Sequence, residues 1–142
     1  MASASIETGQ QIPSVTKAVT QDTINQFENC GILDRQNIHN NPELAQQRLG
    51  TTYPIASGRM SVAFASESLR RFFGPEVFNH SGVVNLKFLR PVKDGDTITV
   101  HGSVVHQEET PEGTLVSVDI FCENQDQDRT AIGMGTALVP KD

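Results

Sequence analysis

The chain has few features that would assign it to a specialised class of protein. Its 142 residues include only two cysteines, Cys30 and Cys122, which lie far apart and match no metal-binding or redox spacing. This pattern favours two reduced thiols in a cytoplasmic protein over a structural disulfide. No apolar run approaches the roughly 18 residues of a membrane span, and the first residues have neither the basic region nor the apolar core of a signal peptide. We therefore expect no association with a membrane.

Basic residues are also in the minority. Lysine and arginine together number 11, against 17 aspartates and glutamates, which gives a formal net charge of −6. Nucleic-acid surfaces depend on clustered lysine and arginine, so this balance argues against a nucleic-acid partner.

Nothing in the sequence divides the chain, because it has no repeat, no low-complexity tract and no linker rich in serine and glycine. A chain of this length can bury about two thirds of its unfolded surface around one core. We expect a mobile amino terminus over residues 1–10 and a single domain over residues 11–142.

Three helices are predicted in the first half of the chain. Thr20 is a helix N-cap, and Asn41-Pro42 is an N-cap followed by proline at the first helical position. A third segment runs from Gly58 to Phe73, and its first half is apolar or small on nearly all sides, as expected for a buried helix.

The second half alternates between apolar and polar residues, which predicts β-strands. These segments are 84–89, 97–104, 116–122 and 130–139, and one further strand is expected near residues 12–19. Short turns between successive strands favour an antiparallel meander. An apolar helix is best buried if this sheet curves around it, so the predicted fold class is α+β.

Asp34 and His39 are the clearest candidates for acid–base chemistry. They are five residues apart, so on a helix their side chains would point roughly 140° away from each other. They converge only in a loop, which the three asparagines within residues 37–41 favour. A carboxylate and an imidazole on a fixed bend can transfer protons to and from a substrate. A solvated surface loop is the alternative.

Gly58, at the start of the third helix, is the next candidate. Without a side chain there, a ligand can approach the backbone amides, where unpaired N–H groups and the helix dipole favour developing negative charge. The alternative is that Gly58 only permits a tight turn into the helix.

In order and spacing, these segments resemble the MaoC-like, (R)-specific enoyl-CoA hydratase group of hot-dog-fold proteins. The resemblance covers residues 12–139. It includes the Asp34 to His39 spacing, His39-x-Asn41-Pro42-Glu43-x-Ala45, Pro54-Ile55-Ala56-Ser57-Gly58, Phe88-Leu89-Arg90-Pro91-Val92 and Gly95-Asp96-Thr97-Ile98. It implies a curved antiparallel sheet wrapped around a central helix, and a homodimer with its active site at the subunit interface.

The resemblance further implies a hydro-lyase that adds water to a 2-enoyl thioester or removes it from a 3-hydroxyacyl thioester. The acyl group would be carried by coenzyme A or an acyl carrier protein, and no metal or other cofactor is implied. Asp34 would be the base toward water, His39 its partner in proton transfer, and the Gly58 amide the donor to the thioester carbonyl. The candidate substrate contacts are Asn37, Tyr53, Ser57, Arg59 and Arg90.

Several positions depart from the family's pattern. Gln36 and Asn37 stand where the family usually has Asn-Pro, and Asn41 replaces an aspartate. Ser57 stands where the family has a histidine before the glycine, so the residue beside the amide is smaller and uncharged. These changes leave the Asp34/His39 pair in place but favour a bulkier or more polar acyl group, as in a specialised tailoring enzyme.

Two other functions stay open. A hot-dog thioesterase would use the same helix start with a carboxylate aimed at a water near C1, although the spacing of Asp34 and His39 favours the hydratase. A non-catalytic subunit, which shapes a pocket for a catalytic partner or only binds a ligand, would keep the pocket without the chemistry. Lys87, Arg90 and Lys93 are candidates for contact with the carrier's phosphates. The alternative for Lys87, which alternates with core residues, is the solvated face of its strand.

Overall fold

The computed structural model describes residues 6–29 and 37–141. All the predicted helices and strands are present in this part of the chain, together with one short helix that was not predicted. The elements in chain order are β1 Val15–Ala18, α1 Gln21–Asn29, α2 Pro42–Leu49, α3 Gly58–Phe73, α4 Pro75–Ser81, β2 Val83–Phe88, β3 Thr97–Thr110, β4 Gly113–Glu123 and β5 Arg129–Pro140. The pair Gly74-Pro75 ends α3 and also starts α4, since proline suits a first helical turn.

The strands form one antiparallel sheet in the order β1-β3-β4-β5-β2. The hairpins from β3 to β5 are those that the turns predicted. The expectation that the meander begins at β2 is wrong, because β2 pairs with β5 at the far edge of the sheet. Residues between β2 and β3 cross the end of the sheet instead: the Leu89 amide bonds to Thr130 O at 2.8 Å, and the Gly95 amide to Val19 O at 2.9 Å.

The sheet curves around α3, which contacts all five strands. Leu69 and Phe73 of α3 are buried against it, 0% and 2% exposed. Gly135 of β5 allows this close approach, because a Cβ atom there would lie 2.4 Å from Leu69 Cδ1. The predicted α+β class, with a curved sheet around a central helix, is confirmed.

Part of the predicted mobile terminus contacts the sheet. The Gly9 amide donates to Val104 O at 2.7 Å, and Ile6 packs against the core. Residues 1–5 lie outside the described residues, and the division at residue 11 stays a prediction.

Cys122 is a free thiol within β4 and is fully buried. Burial raises the pKa of this thiol to about 11, because the thiolate would lose its hydration. Cys30 lies outside the described residues. In the described ranges, no helix combines the length and the apolar character needed to cross a membrane.

Candidate active site

His39 lies in a tight turn just before α2. Asn37 holds this turn: its Oδ1 accepts from the His39 amide at 2.8 Å, and its Nδ2 donates to Glu28 Oε1 of α1 at 3.0 Å. The amide of Asn41 donates to Asn37 O at 2.9 Å, and the Asn41 side chain then caps α2. The predicted loop around His39, with Asn41 as a helix N-cap, is confirmed.

The His39 ring has a defined orientation and tautomer. Its Nδ1 lies 2.8 Å from the carbonyl oxygen of Ile55, and a carbonyl oxygen only accepts hydrogen bonds. Nδ1 must therefore carry a proton, which in the neutral ring leaves the lone pair on Nε2. The Ile55 amide in turn donates to Ile38 O at 3.1 Å, so the two segments lie side by side.

The segment that contacts His39 leads directly into α3. Ser57 is the N-cap of this helix, and its Oγ accepts from the Arg59 amide at 3.3 Å. The Met60 amide donates to Ser57 O at 2.9 Å. Within the described ranges, the Gly58 amide has no hydrogen-bond partner, so it is an unpaired donor at the positive end of the helix dipole.

Gly58 is needed for packing rather than for a turn. Its φ is not positive, so its backbone conformation is open to any residue. A Cβ atom at this position would lie 2.6 Å from the Phe88 ring, which rests on the start of α3. The alternative that Gly58 only permits a tight turn therefore has no support in its backbone geometry.

These groups border one cleft of about 400 Å³, which is open to solvent. Described residues in its walls include His39, Thr51, residues 55–58, Ser61 and residues 88–92. His39, whose neutral ring keeps the Nε2 lone pair, and Gly58, whose amide is unpaired among the described residues, therefore border the same cavity. Its walls are mainly apolar, as is typical of small-molecule sites.

The predicted site residues separate into three groups. His39, Ser57, Gly58 and Arg90 line the cleft. Asn37, Tyr53 and Arg59 are not among the described residues that line it. Asp34 lies outside the described residues, so its convergence with His39 stays a prediction.

The three residues that do not line the cleft have other surroundings. The Asn37 side chain is engaged in the turn, as described above, and the Tyr53 ring lies 5.7 Å below the ammonium of Lys93. Arg59 follows Gly58 on α3, so its side chain is turned about 100° around the helix from that position. Secondary structure alone did not reveal these orientations.

Sequence reasoning missed three hydroxyl-bearing residues that also line the cleft: Ser61, Thr51 and Thr130. Ser61 was open to prediction, because it lies three residues after Gly58 and so on the same side of α3. Thr51 and Thr130 come from distant segments, and their position depends on the tertiary fold.

The other histidine contact in the described residues is structural. His101 Nε2 lies 2.8 Å from Glu123 Oε1, and its ring stacks on Phe121 with a centroid distance of 4.9 Å. Within the described ranges, no three histidine, cysteine, aspartate or glutamate side chains are grouped so that they could hold a metal ion.

The sequence matches the model of the MaoC like domain over residues 4–120. Among proteins with curated functions, none matches the chain in sequence.

Solved structures share its fold at low sequence identity. The monoamine oxidase regulatory protein of Archaeoglobus fulgidus is 24% identical with a TM-score of 0.80, over 96% of this chain and 92% of that one. The unliganded R-hydratase of Pseudomonas aeruginosa is 24% identical with a TM-score of 0.75, over 96% and 84%. The (R)-hydratase of A. caviae involved in PHA biosynthesis is 19% identical with a TM-score of 0.76, over 96% and 99%. These likenesses establish the fold.

Proposed function

The chain belongs to the MaoC-like domain family, and on that premise we propose that it is a hydro-lyase acting on 2-enoyl or 3-hydroxyacyl thioesters. The observation that carries the proposal is the common cleft of His39 and Gly58. One supplies a nitrogen able to exchange a proton, and the other supplies an amide donor. Hydration of an activated double bond needs both groups.

His39 is suited to proton transfer because Ile55 O fixes its Nδ1 proton. The neutral ring then offers the Nε2 lone pair to a water molecule, and the protonated ring offers a proton in return. In the proposed hydration, the water oxygen bonds to C3 and loses a proton to Asp34, while the pair of Asp34 and His39 returns a proton to C2. The net proton count is unchanged, and dehydration reverses the steps.

Gly58 provides the electrostatic part of the mechanism. As water adds to C3, electrons move from the double bond toward the thioester carbonyl, whose oxygen becomes enolate-like. The unpaired Gly58 amide at the start of α3 would donate to this oxygen, and the helix dipole favours the same charge. Donors of this kind contribute about 10²–10³ in rate in other enzymes.

Arg90 is the proposed contact for the phosphates of coenzyme A or of a carrier protein's pantetheine arm. It lines the cleft and is exposed, and among the described residues its guanidinium forms no ion pair.

A cytoplasmic location is also part of the proposal, and a fluorescent fusion would test it.

We further propose that two copies join along β2. This strand ends the sheet order, so one of its edges is unpaired in the described chain. Val83 and Phe88 of β2 are 56% and 52% exposed, and Leu89 just after it is 45% exposed. Unpaired apolar edges are usually covered.

The dimer is tested by light scattering coupled to gel filtration. Val83→Glu is expected to raise the monomer fraction. Val105→Glu, at an exposed valine of β3 away from this edge, serves as the matched control and is expected to leave the dimer intact. A monomeric wild type would contradict the proposed assembly.

The reaction is tested with crotonyl-CoA and with 3-hydroxybutyryl-CoA, while enoyl absorbance and free thiol are followed together. Hydro-lyase activity changes the absorbance without releasing thiol, and it is lost in Asp34→Asn and in His39→Gln. Thiol release with the double bond intact would indicate a thioesterase. Binding without either change, in the wild type and both variants, would indicate a ligand-binding subunit.

A further inference from the structure

We propose that Ser61 contacts the acyl group of the substrate and gives the cleft a preference for chains that carry a hydrogen-bond-accepting oxygen. The inference rests on the proposed function, because it assigns the substrate class of the same cleft. Its evidence is the bonding of one hydroxyl, which is independent of the Asp34/His39 pair.

The Ser61 hydroxyl differs from those of other helical serines in this protein. Ser66 and Ser81 donate to the carbonyl oxygens four residues earlier, at 2.8 and 3.2 Å, and Ser68 donates to Pro13 O. For Ser61 the corresponding acceptor would be Ser57 O; this oxygen accepts from the Met60 amide at 2.9 Å and forms no hydrogen bond with the Ser61 hydroxyl. Among the described residues, the Ser61 hydroxyl has no hydrogen-bond partner.

Burial places this hydroxyl at the cleft surface. Ser61 is only 5% exposed, and it lines the cleft. In the described part of the chain, every fully buried side-chain nitrogen or oxygen has a partner. An unpaired Ser61 Oγ must therefore retain some exposure, and the cleft is the surface that this residue borders.

The other hydroxyls of the cleft are already engaged. Thr51 Oγ1 donates to Tyr53 O at 2.8 Å, and Thr130 Oγ1 donates to Cys122 O at 3.3 Å. Ser57 Oγ accepts from the Arg59 amide. Ser57 thus keeps its own hydroxyl proton, but among the described residues of the cleft Ser61 is the hydroxyl that forms no hydrogen bond at all, in walls that are otherwise mainly apolar.

The position of Ser61 identifies the part of the substrate that it meets. It lies three residues beyond Gly58, about 4.5 Å farther along the helix axis. If the thioester carbonyl binds the Gly58 amide, the hydroxyl lies within a few bonds of it. Ser61 is only 5% exposed, whereas Arg90, the proposed carrier contact, is exposed, so we assign Ser61 to the acyl chain at the buried side of the cleft.

The preference follows from desolvation. A hydrocarbon chain that fills the cleft removes water from the Ser61 hydroxyl and leaves it unpaired, whereas an ether, carbonyl or hydroxyl oxygen on the chain replaces the lost bond. Sites that hydrogen-bond a substrate discriminate against analogues lacking that group. For a single neutral hydroxyl we expect discrimination of about tenfold.

The test uses unreactive ligands, so that it does not depend on turnover. Octanoyl-CoA and its two isosteres with an ether oxygen at C5 or C7 are titrated calorimetrically into the wild type and into Ser61→Ala. For at least one isostere, the affinity relative to octanoyl-CoA is expected to fall about tenfold in Ser61→Ala. Ser103→Ala, which removes a hydroxyl from β3 away from the cleft, is the control and is expected to leave the ratio unchanged.

A change in the stability of the fold is not expected to affect the affinities measured for Ser61→Ala. Alanine has the higher helix propensity and no bonded hydroxyl is lost, so Ser61→Ala is expected to keep the Tm of the wild type. A marked drop in Tm would mean that the hydroxyl supports the fold, and this would overturn the assignment.

The outcomes separate this inference from the proposed reaction. An affinity ratio unaffected by Ser61→Ala overturns the inference, even if the protein hydrates enoyl thioesters. If Ser61→Ala lowers the affinity of an isostere relative to octanoyl-CoA, but the protein hydrates no enoyl thioester, the inference is supported and the proposed reaction is contradicted. Failure of all three acyl thioesters to bind overturns the inference, and the proposed reaction is then judged by the assay with crotonyl-CoA alone.

Discussion

The Nδ1 atom of His39 donates a 2.8 Å hydrogen bond to the carbonyl oxygen of Ile55, three residues before Gly58. The imidazole is therefore tied to the same short segment that presents the unpaired amide at the start of α3. In the proposed reaction, the separation between His39 as proton-transfer group and the Gly58 amide as donor would be set by a few residues of backbone, which would reduce the reorganisation needed.

Replacing His39 by glutamine is expected to lower kcat for hydration by about 10²–10⁴, because it removes a group that transfers protons. The measurement is the initial rate with crotonyl-CoA, with circular dichroism to verify the fold. His106→Gln, at an exposed histidine of β3, is the control and should retain the wild-type rate. Equal rates in both variants would remove His39 from the mechanism.

Replacing Asn37 by alanine is expected to lower kcat about tenfold with little change in KM, because the Asn37 side chain is bonded within the turn that holds His39. The variant loses the bonds to Glu28 and to the His39 amide, which should also reduce the free energy of unfolding by about 1–2 kcal/mol. Asn79→Ala, which loses an exposed bond to Arg70, is the comparison. A selective rise in KM would instead favour the predicted substrate contact.

Gly58 and Phe88 are expected to be energetically coupled. In Gly58→Ala the new Cβ would lie 2.6 Å from the ring, so the half-exposed ring must shift, at a cost of about 1 kcal/mol. In a Phe88→Ala background the same change should cost less, since the obstacle is absent. Urea unfolding of the two single variants and the double variant measures this coupling, and additive effects would contradict the packing argument.

Cys122 should make stability depend on alkaline pH. Burial raises its pKa from 9.0 to about 11, so above about pH 9 the unfolded chain releases this proton before the folded chain does. The free energy of unfolding is therefore expected to fall between about pH 9 and about pH 11, by on the order of 2–3 kcal/mol. Below about pH 9 the thiol is protonated in both the folded and the unfolded chain, so the free energy of unfolding keeps its full value there.

The measurement is urea unfolding across that range for the wild type and Cys122→Ala. Other titrating groups are common to both proteins, so the difference between the two curves isolates Cys122. A difference that does not vary with pH would show that the thiol titrates normally in the fold.

Local chemistry was enough to predict most elements. Thr20 caps α1, with its Oγ1 accepting from the Thr23 amide at 3.0 Å, and Asn41-Pro42 starts α2. Such signals act within one helical turn, so they are visible in the sequence. The connection after β2 was predicted wrongly, because a turn signal does not distinguish a hairpin from a crossing to the other end of the sheet.

The sequence by itself determined which residues could do chemistry: a histidine in an asparagine-rich turn, and a glycine at the start of an apolar helix. Only the tertiary structure decided that these groups share a cleft, that Asn37 and Tyr53 do not line it, and that the Ser61 hydroxyl is unpaired within it. The physical reason is the distance along the chain over which the interactions act. Caps and turns depend on neighbours a few residues away, whereas the cleft is formed where residues 39, 58, 88 and 130 meet through packing and long-range hydrogen bonds.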